Sequence, residues 1–313
     1  MAQLIKLLDY ISRYETNPFH YPTQYIRLKQ ENWRRVNELW EMENEKELNT
    51  NFLETYTENM DNKRFFNWIP FRKHKEREKM ETAQFERRLP RSRKKLTQYF
   101  LNELFPFQLK WATSTISQVS FTDRKFNHDS TLKHFLQRLP DIYLLMYYPI
   151  FNVKKAPVEG ELILISPVGI EIIVLLQESS DTVIYTGSDR TWTIETRNNV
   201  SKIISPVIAL KRNEQIVKSI LNRYHLNFSI KKTILSKESS IRFTNEPYNT
   251  SLIGKEEYDT WLEERRNLTS PLKNMQLKVV EALLRHCQTA SVRRPEWESD
   301  DDHFNPVNFE ETK

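Results

Sequence analysis

Two apolar runs joined by a tight turn constrain this chain more than anything else in it. Leu162-Ile163-Leu164-Ile165 is followed, after Ser166-Pro167-Val168-Gly169, by Ile170 to Leu176, in which Glu171 is the single charge. Each run has the length of a strand and too little polarity for a solvent face. Both therefore read as strands buried on both sides, as in the middle of a largely parallel or mixed sheet. Gly160 and Gly169 bracket the first run, in a chain that holds only four glycines in 313 residues. That placement suits positions where the backbone must turn with little steric cost.

The flanking pattern sets the architecture. Up to about Thr113 the chain reads as helical. Tyr25, Leu28, Val36, Leu39 and Trp40, with Trp33 beside them, recur at three- and four-residue steps in a charged background. This is one apolar helix stripe, suited to core packing or, left uncovered, to a protein partner. A basic stretch then culminates in Arg87, Arg88, Arg91, Arg93, Lys94 and Lys95. Such a run is either a solvated helix face or a phosphate contact, for which arginine's paired donors are suited. From Asp129, a plausible N-cap, a short helix runs to Pro140. Strands are predicted over 142–148, 162–167, 170–177, 182–186, 227–235 and 241–244, and helices over 206–221, 255–266 and 272–288. This order predicts an α/β core: a mixed sheet flanked by helices, carrying a helical N-terminal extension. The expected divisions are 1–113, helical and basic; 114–290, the α/β core with closing helices; and 291–313, an acidic, disordered tail.

Composition removes several function classes. Hydrophobic residues make up 38% and charged residues 28%, which fits a globular centre with long polar helices and tails. A net charge of +5 is compatible with nucleic acid and equally with an ordinary lysine-rich surface. One cysteine, Cys287, rules out an internal disulfide and a multi-cysteine metal site. There is no phosphate-cradling glycine loop, no G-x-S-x-G, and no paired-histidine spacing. The first residues, broken by Lys6, Asp9 and Arg13, are not a signal peptide, and no apolar run approaches the roughly 20 residues of a membrane span. The cytoplasm is the default location.

The region from Asp129 to Leu262 resembles the nuclease-related (NERD) domain family, whose fold is restriction-endonuclease-like. The resemblance rests on Leu139-Pro140-Asp141-Ile142-Tyr143, Gly160-Glu161-Leu162-Ile163-Leu164, Ser166-Pro167-Val168-Gly169-Ile170, Asp189-Arg190-Thr191-Trp192 and Ser205-Pro206. It implies an acid on the first central strand and a Glu-x-Lys pair on the next. Two carboxylates hold a divalent cation that polarises the scissile phosphate, and the lysine stabilises charge there. Carried over by position, Glu161 matches the first acid, but Val174 and Leu176 stand where the second acid and the lysine belong. Strand alternation sends Ile172, Val174 and Leu176 to one wholly apolar face. Glu161 is then a vestige, expected to be solvated or paired with Lys154, Lys155 or Arg190. Asp129 serves as the N-cap or as a stand-in acid.

Three readings follow. The first is a non-catalytic NERD-like protein that binds DNA or RNA, or acts as a scaffold, with Arg87, Arg88, Arg91, Arg93, Lys94 and Lys95 on the nucleic acid. The second is a metal-dependent nuclease with a relocated site on the helix after Pro206, which offers Lys211, Arg212, Glu214 and Lys218. The third is a protein-interaction module built on the N-terminal helices. No cofactor is implied by the first and third; magnesium enters only with the second.

Overall fold

The structure is a computed structural model, and it describes residues 1–50, 89–154, 156–187, 190–197, 199–243 and 247–294, without the side chains of 43–50. In chain order its elements begin with β1 (Gln3–Leu7), α1 (Arg13–Thr16), α2 (Tyr21–Thr50), α3 (Arg93–Trp111), β2 (Gln118–Val119) and α4 (Ser130–Arg138). The centre holds β3 (Leu144–Tyr147), β4 (Ile150–Val153), β5 (Ala156–Glu159), β6 (Leu162–Ser166), β7 (Gly169–Leu175), β8 (Val183–Tyr185), β9 (Thr191–Thr196) and β10 (Asn199–Ile204). Then come α5 (Pro206–Arg223), β11 (Ile230–Leu235), β12 (Ser240–Arg242), β13 (Ser251–Ile253), α6 (Lys255–Arg266), α7 (Asn274–Leu284) and β14 (Val292–Arg293). Two compact units result: one gathers Met1–Leu28 with the chain from Leu101 onward, the other is Lys29–Phe100.

The first unit is built on a mixed sheet of order β1-β3-β6-β7-β11-β13. β6 runs antiparallel to β3 and β7, while β11 runs parallel to β7 and to β13. Residues 162–166 and 170–174 are all buried, so both faces of the central pair are covered as their composition requires. Ile172, Val174, Ile163 and Ile165 share an apolar core with Leu210, Val217 and Leu221 of α5 and Val280 and Leu284 of α7. The Ser166 hydroxyl locks the β6–β7 turn: it donates to Gly169 O at 3.0 Å and accepts from Gly169 N at 3.2 Å.

The opposite face carries one buried charge. Glu171 Oε1 accepts from Thr233 Oγ1 at 2.6 Å, from Trp261 Nε1 at 3.1 Å and from Arg265 Nη2 at 2.6 Å, while Oε2 accepts from Arg265 Nε at 2.8 Å. The Arg265 guanidinium also lies over the Trp261 ring, 4.2 Å from its centroid. A carboxylate met on both oxygens by a forked donor offsets much of its desolvation, and this pair ties α6 to the sheet.

Two expectations need correction. Gln3–Leu7 is not helical but an edge strand parallel to β3, buried along its whole length. Lys6, which breaks the apolar run in sequence, is tolerated there because its ammonium reaches Glu15 Oε1 (2.6 Å), Tyr10 O (2.9 Å) and Thr289 Oγ1 (3.0 Å). The chain stays regular past Ser291, since Val292–Arg293 pairs with Gln118–Val119; residues 295–313 lie outside the described residues. Of the two readings given for the Trp33–Trp40 stripe, core packing is the one the structure supports. Within the second unit Val36 is buried, the Trp33 ring lies 5.2 Å from that of Phe100, and Trp40 Nε1 donates to Pro90 O at 2.7 Å. No helix among the described residues is long and apolar enough to cross a membrane.

Between β7 and α5 the chain builds most of a second sheet, of order β10-β9-β8-β12. Its inner face, with Ile184, Trp192, Ile194 and Ile241, joins the core, and its outer face meets solvent.

Removing one partner of the buried pair leaves the other charge without compensation. Arg265→Ala should lower unfolding free energy by about 3 kcal/mol, read by urea denaturation at neutral pH. A loss below about 1 kcal/mol, the range of a surface change, would show that Glu171 does not depend on Arg265.

Candidate functional site

Glu161 stands one residue before β6. The register pairs Leu162 with Ile173 and Ile163 with Ile172, which sets Glu161 opposite Val174 across the β6–β7 pair. The two positions to which the NERD resemblance would assign carboxylates are therefore brought together, one an acid and the other a valine. What meets Glu161 there is apolar: Ile172 is fully buried, Val174 is 8% exposed, and half-buried Leu176 packs at the margin of the same core.

Helix α5 closes this fork. Pro206 occupies its first turn, where a missing N–H is harmless. From its second turn Asn213, fully buried, accepts the Glu161 N–H on Oδ1 at 3.0 Å. Arg212 Nη2 lies 4.0 Å from Glu161 Oε1 and donates to Glu159 O at 3.2 Å. Gly160 makes the approach possible. A Cβ there would stand 2.8 Å from Pro149 O and 3.2 Å from Asn213 Oδ1, so close packing, not an unusual φ, excludes a side chain. The partner of Glu161 is thus Arg212, in place of the Lys154 or Arg190 expected from sequence; Lys155 lies outside the described residues. α5 supplies it from 51 positions away in sequence, which no local pattern announces.

Burial raises the Glu161 carboxyl above its ordinary range; Arg212 opposes that shift and Glu159 adds to it. Tyr148, held at φ 48° in the left-handed region, has its phenol pushed up to about 12 by burial and by the charges of Glu161, Asp129 and Glu159. Asp129 is the N-cap of α4, and both its oxygens are engaged. Oδ1 accepts from Leu132 N at 2.9 Å and Oδ2 from Tyr147 OH at 3.0 Å.

A divalent cation does not fit this fork. Val174 stands opposite Glu161, a guanidinium faces that acid, and Asp129 already holds a helix end and a phenol. Among the described residues no three His, Cys, Asp or Glu side chains gather as a cation site. Nor does α5 offer one. Glu214 is held by Lys218 and Lys232, both at 2.7 Å, and Arg212 is turned to Glu159 and Glu161. Burial works to raise the Glu214 carboxyl, and the two lysines overcome it and hold it below the usual range.

Beside the fork, over the carboxyl ends of β7 and β11, lies a cleft of about 490 Å³. Its floor is Phe135, Leu175 and Leu235; its polar groups include His134, whose Nε2 lies 2.7 Å from Tyr258 OH, and Gln177, which donates to Thr131 Oγ1 at 2.8 Å. Burial, with Lys237 and Arg138 nearby, lowers His134 to about 4, so it is neutral at physiological pH. Sequence reading missed this pair because 124 positions separate its members.

Of the basic residues singled out from sequence, Arg91, Arg93, Lys94 and Lys95 are exposed, and the last three form the first turn of α3. Arg87 and Arg88 lie outside the described residues.

No protein-family profile matches the chain, and no solved structure matches it. A stretch of 43 residues is 56% identical to an RNA 2',3'-cyclic phosphodiesterase of Geobacillus stearothermophilus. That stretch is 14% of this chain and 14% of that protein, so the likeness spans about one seventh of each.

The charge state of Glu161 has a measurable consequence. A carboxyl with a raised folded-state pKa keeps its proton longer in the folded chain than in the unfolded one. Stability therefore falls as pH rises from the ordinary value of 4.5 through the raised one, and stays lower at neutral pH. Glu161→Gln should flatten the stability profile in that window and leave the protein at least as stable as wild type at pH 7. Marked destabilisation at pH 7 would show that the ionised group is held favourably.

Proposed function

We propose that this chain is a non-catalytic, NERD-like protein whose restriction-endonuclease-like core has become a nucleic-acid-binding module. The observation that carries the reading is the fork. Glu161 faces Val174 across the β6–β7 pair, the side chains at 172 and 174 belong to the core, and Arg212 supplies the positive charge beside the remaining acid. An arginine brings no metal to activate a water or polarise a phosphate, so the arrangement offers no metal-assisted hydrolysis.

The strand order supports the fold. A three-stranded antiparallel run, β3-β6-β7, is followed by α5 and a parallel β11, with helices on both faces. Nucleic acid as the ligand is supported by the start of α3. Arg93, Lys94 and Lys95 stack positive charge on a first turn that holds no acid, at the end of the helix dipole that is itself positive. Phosphate groups there relieve both sources of repulsion. The short identity with a protein named for an RNA cyclic phosphate supports the same ligand class, but covers too little of either chain to bring its activity.

Fluorescein-labelled duplex and single-stranded DNA and RNA, with magnesium and with manganese, test the reading in one experiment. Binding is expected without cleavage, and it should weaken steeply with salt. Replacing Arg91, Arg93, Lys94 and Lys95 together by alanine should reduce the slope of log affinity against log salt by about three. Cleavage that Glu161→Ala abolishes would establish the nuclease instead. An unchanged slope would remove the basic segment from the interface.

A further inference from the structure

The outer face of the second sheet carries a row of side chains that nothing above has used. Arg242 pairs with Tyr185, Tyr185 with Thr193, and Thr193 with Lys202, so the four lie side by side across β12, β8, β9 and β10. Directly paired residues share a face, and the residues one step along, Ile241, Ile184 and Ile194, are buried in the core. The row therefore points to solvent. Tyr185 is 41% exposed, and Arg242 and Lys202 are exposed at the two ends. Adjacent strands lie about 4.8 Å apart, so the two cations stand about 14 Å from one another with the phenol ring between them.

Two more features belong to this face. On β10, Val200 and Ile204 flank Lys202 at two-residue steps and are 63% and 75% exposed. Apolar groups this open on a sheet face mark a contact surface. Two acids border the face: Glu195, paired with Val183 and Val200 in the next row, and Glu256, which accepts from Ser240 Oγ at 2.6 Å near Arg242; Arg197 follows Glu195 in the turn to β10.

We propose that this face binds single-stranded nucleic acid. The Tyr185 ring offers a stacking surface for a base, Val200 and Ile204 offer apolar contact two strands away across β9, and Arg242 and Lys202 take phosphates on either side. An aromatic ring set between cations on an open sheet is the combination that single strands require, because their bases are unstacked and free to lie on a protein surface. A duplex hides its base faces and gains only the two charges. The proposal rests on the nucleic-acid reading above and names its preferred form.

The test uses the whole protein with a labelled oligouridine twelve-mer and a duplex of the same length, followed by fluorescence anisotropy between about 50 mM and 200 mM salt. Tyr185→Ala should weaken single-strand binding by about fivefold or more, and Tyr185→Phe, which keeps the ring, should stay within about twofold of wild type. Lys202→Ala with Arg242→Ala should lower the single-strand salt slope by about 1.4. Duplex affinity should not respond to Tyr185→Ala. Circular dichroism melts of these surface variants should coincide with wild type. Unchanged single-strand affinity in a folded Tyr185→Ala protein overturns the proposal. If the alanine set at 91, 93, 94 and 95 abolishes binding in that case, the nucleic-acid reading stands and only this face is excluded. Absence of binding to either probe at low salt removes both. Self-association by light scattering that Ile204→Asp abolishes would assign the face to a second copy of the chain and also overturn the proposal.

Discussion

The pairing of β6 with β7 governs what every other part of this protein can meet. A strand buried on both faces has no solvent side onto which a mistake can be turned, so a slip of one residue would exchange its two faces completely. Here the slip would carry Glu171 away from Arg265, Trp261 and Thr233 and into the apolar space before α5 and α7. It would also move Glu161 away from Asn213 and Arg212. The Ser166 hydroxyl and the two-residue turn hold the register from one end, and the buried ion pair holds it within β7.

The same register sets one acid, Glu161, against an apolar strand. A pair of carboxylates on adjacent strands is stable only with a cation to hold them together, since like charges so close repel. With valine and isoleucine in the second strand the repulsion disappears, hydrophobic burial takes its place, and one acid is left to compensate. Arg212 does this from α5 at 4.0 Å while Asn213 fixes the Glu161 backbone. Burial still raises that carboxyl, which marks the compensation as partial. Glu171, by contrast, receives four donors within 3.1 Å. One acid is a structural tie and the other a residue of position.

The two sheets divide the work. The six-stranded sheet spends both faces on packing, which leaves it only its ends, where the fork and the 490 Å³ cleft lie. The four-stranded sheet uses one face for packing and keeps the other open, where Tyr185, Lys202 and Arg242 stand beside exposed Val200 and Ile204.

The α/β class, the helix starting at Pro206, the N-cap Asp129, and the faces of 171 to 177 were legible in sequence, because each depends on neighbours within a few residues. Helix α6 matched its expected bounds, and the runs at 162–167 and 170–177 lay within two residues of the observed strands. β1 was not legible, because Lys6 breaks its apolar run and finds its partners only in the folded chain, Thr289 among them. β10 was not legible either, because an exposed edge strand shows no alternation of burial. By itself the sequence determined which segments had to be buried and that positions 174 and 176 carry valine and leucine beside the one acid, Glu161. Tertiary structure alone decided which charges would meet, Glu161 with Arg212 and Glu171 with Arg265, and set Tyr185 in one row with Arg242 and Lys202. Hydrophobic periodicity is a local property of a strand or helix, while a pairing of charges depends on distances that exist only once those elements have packed.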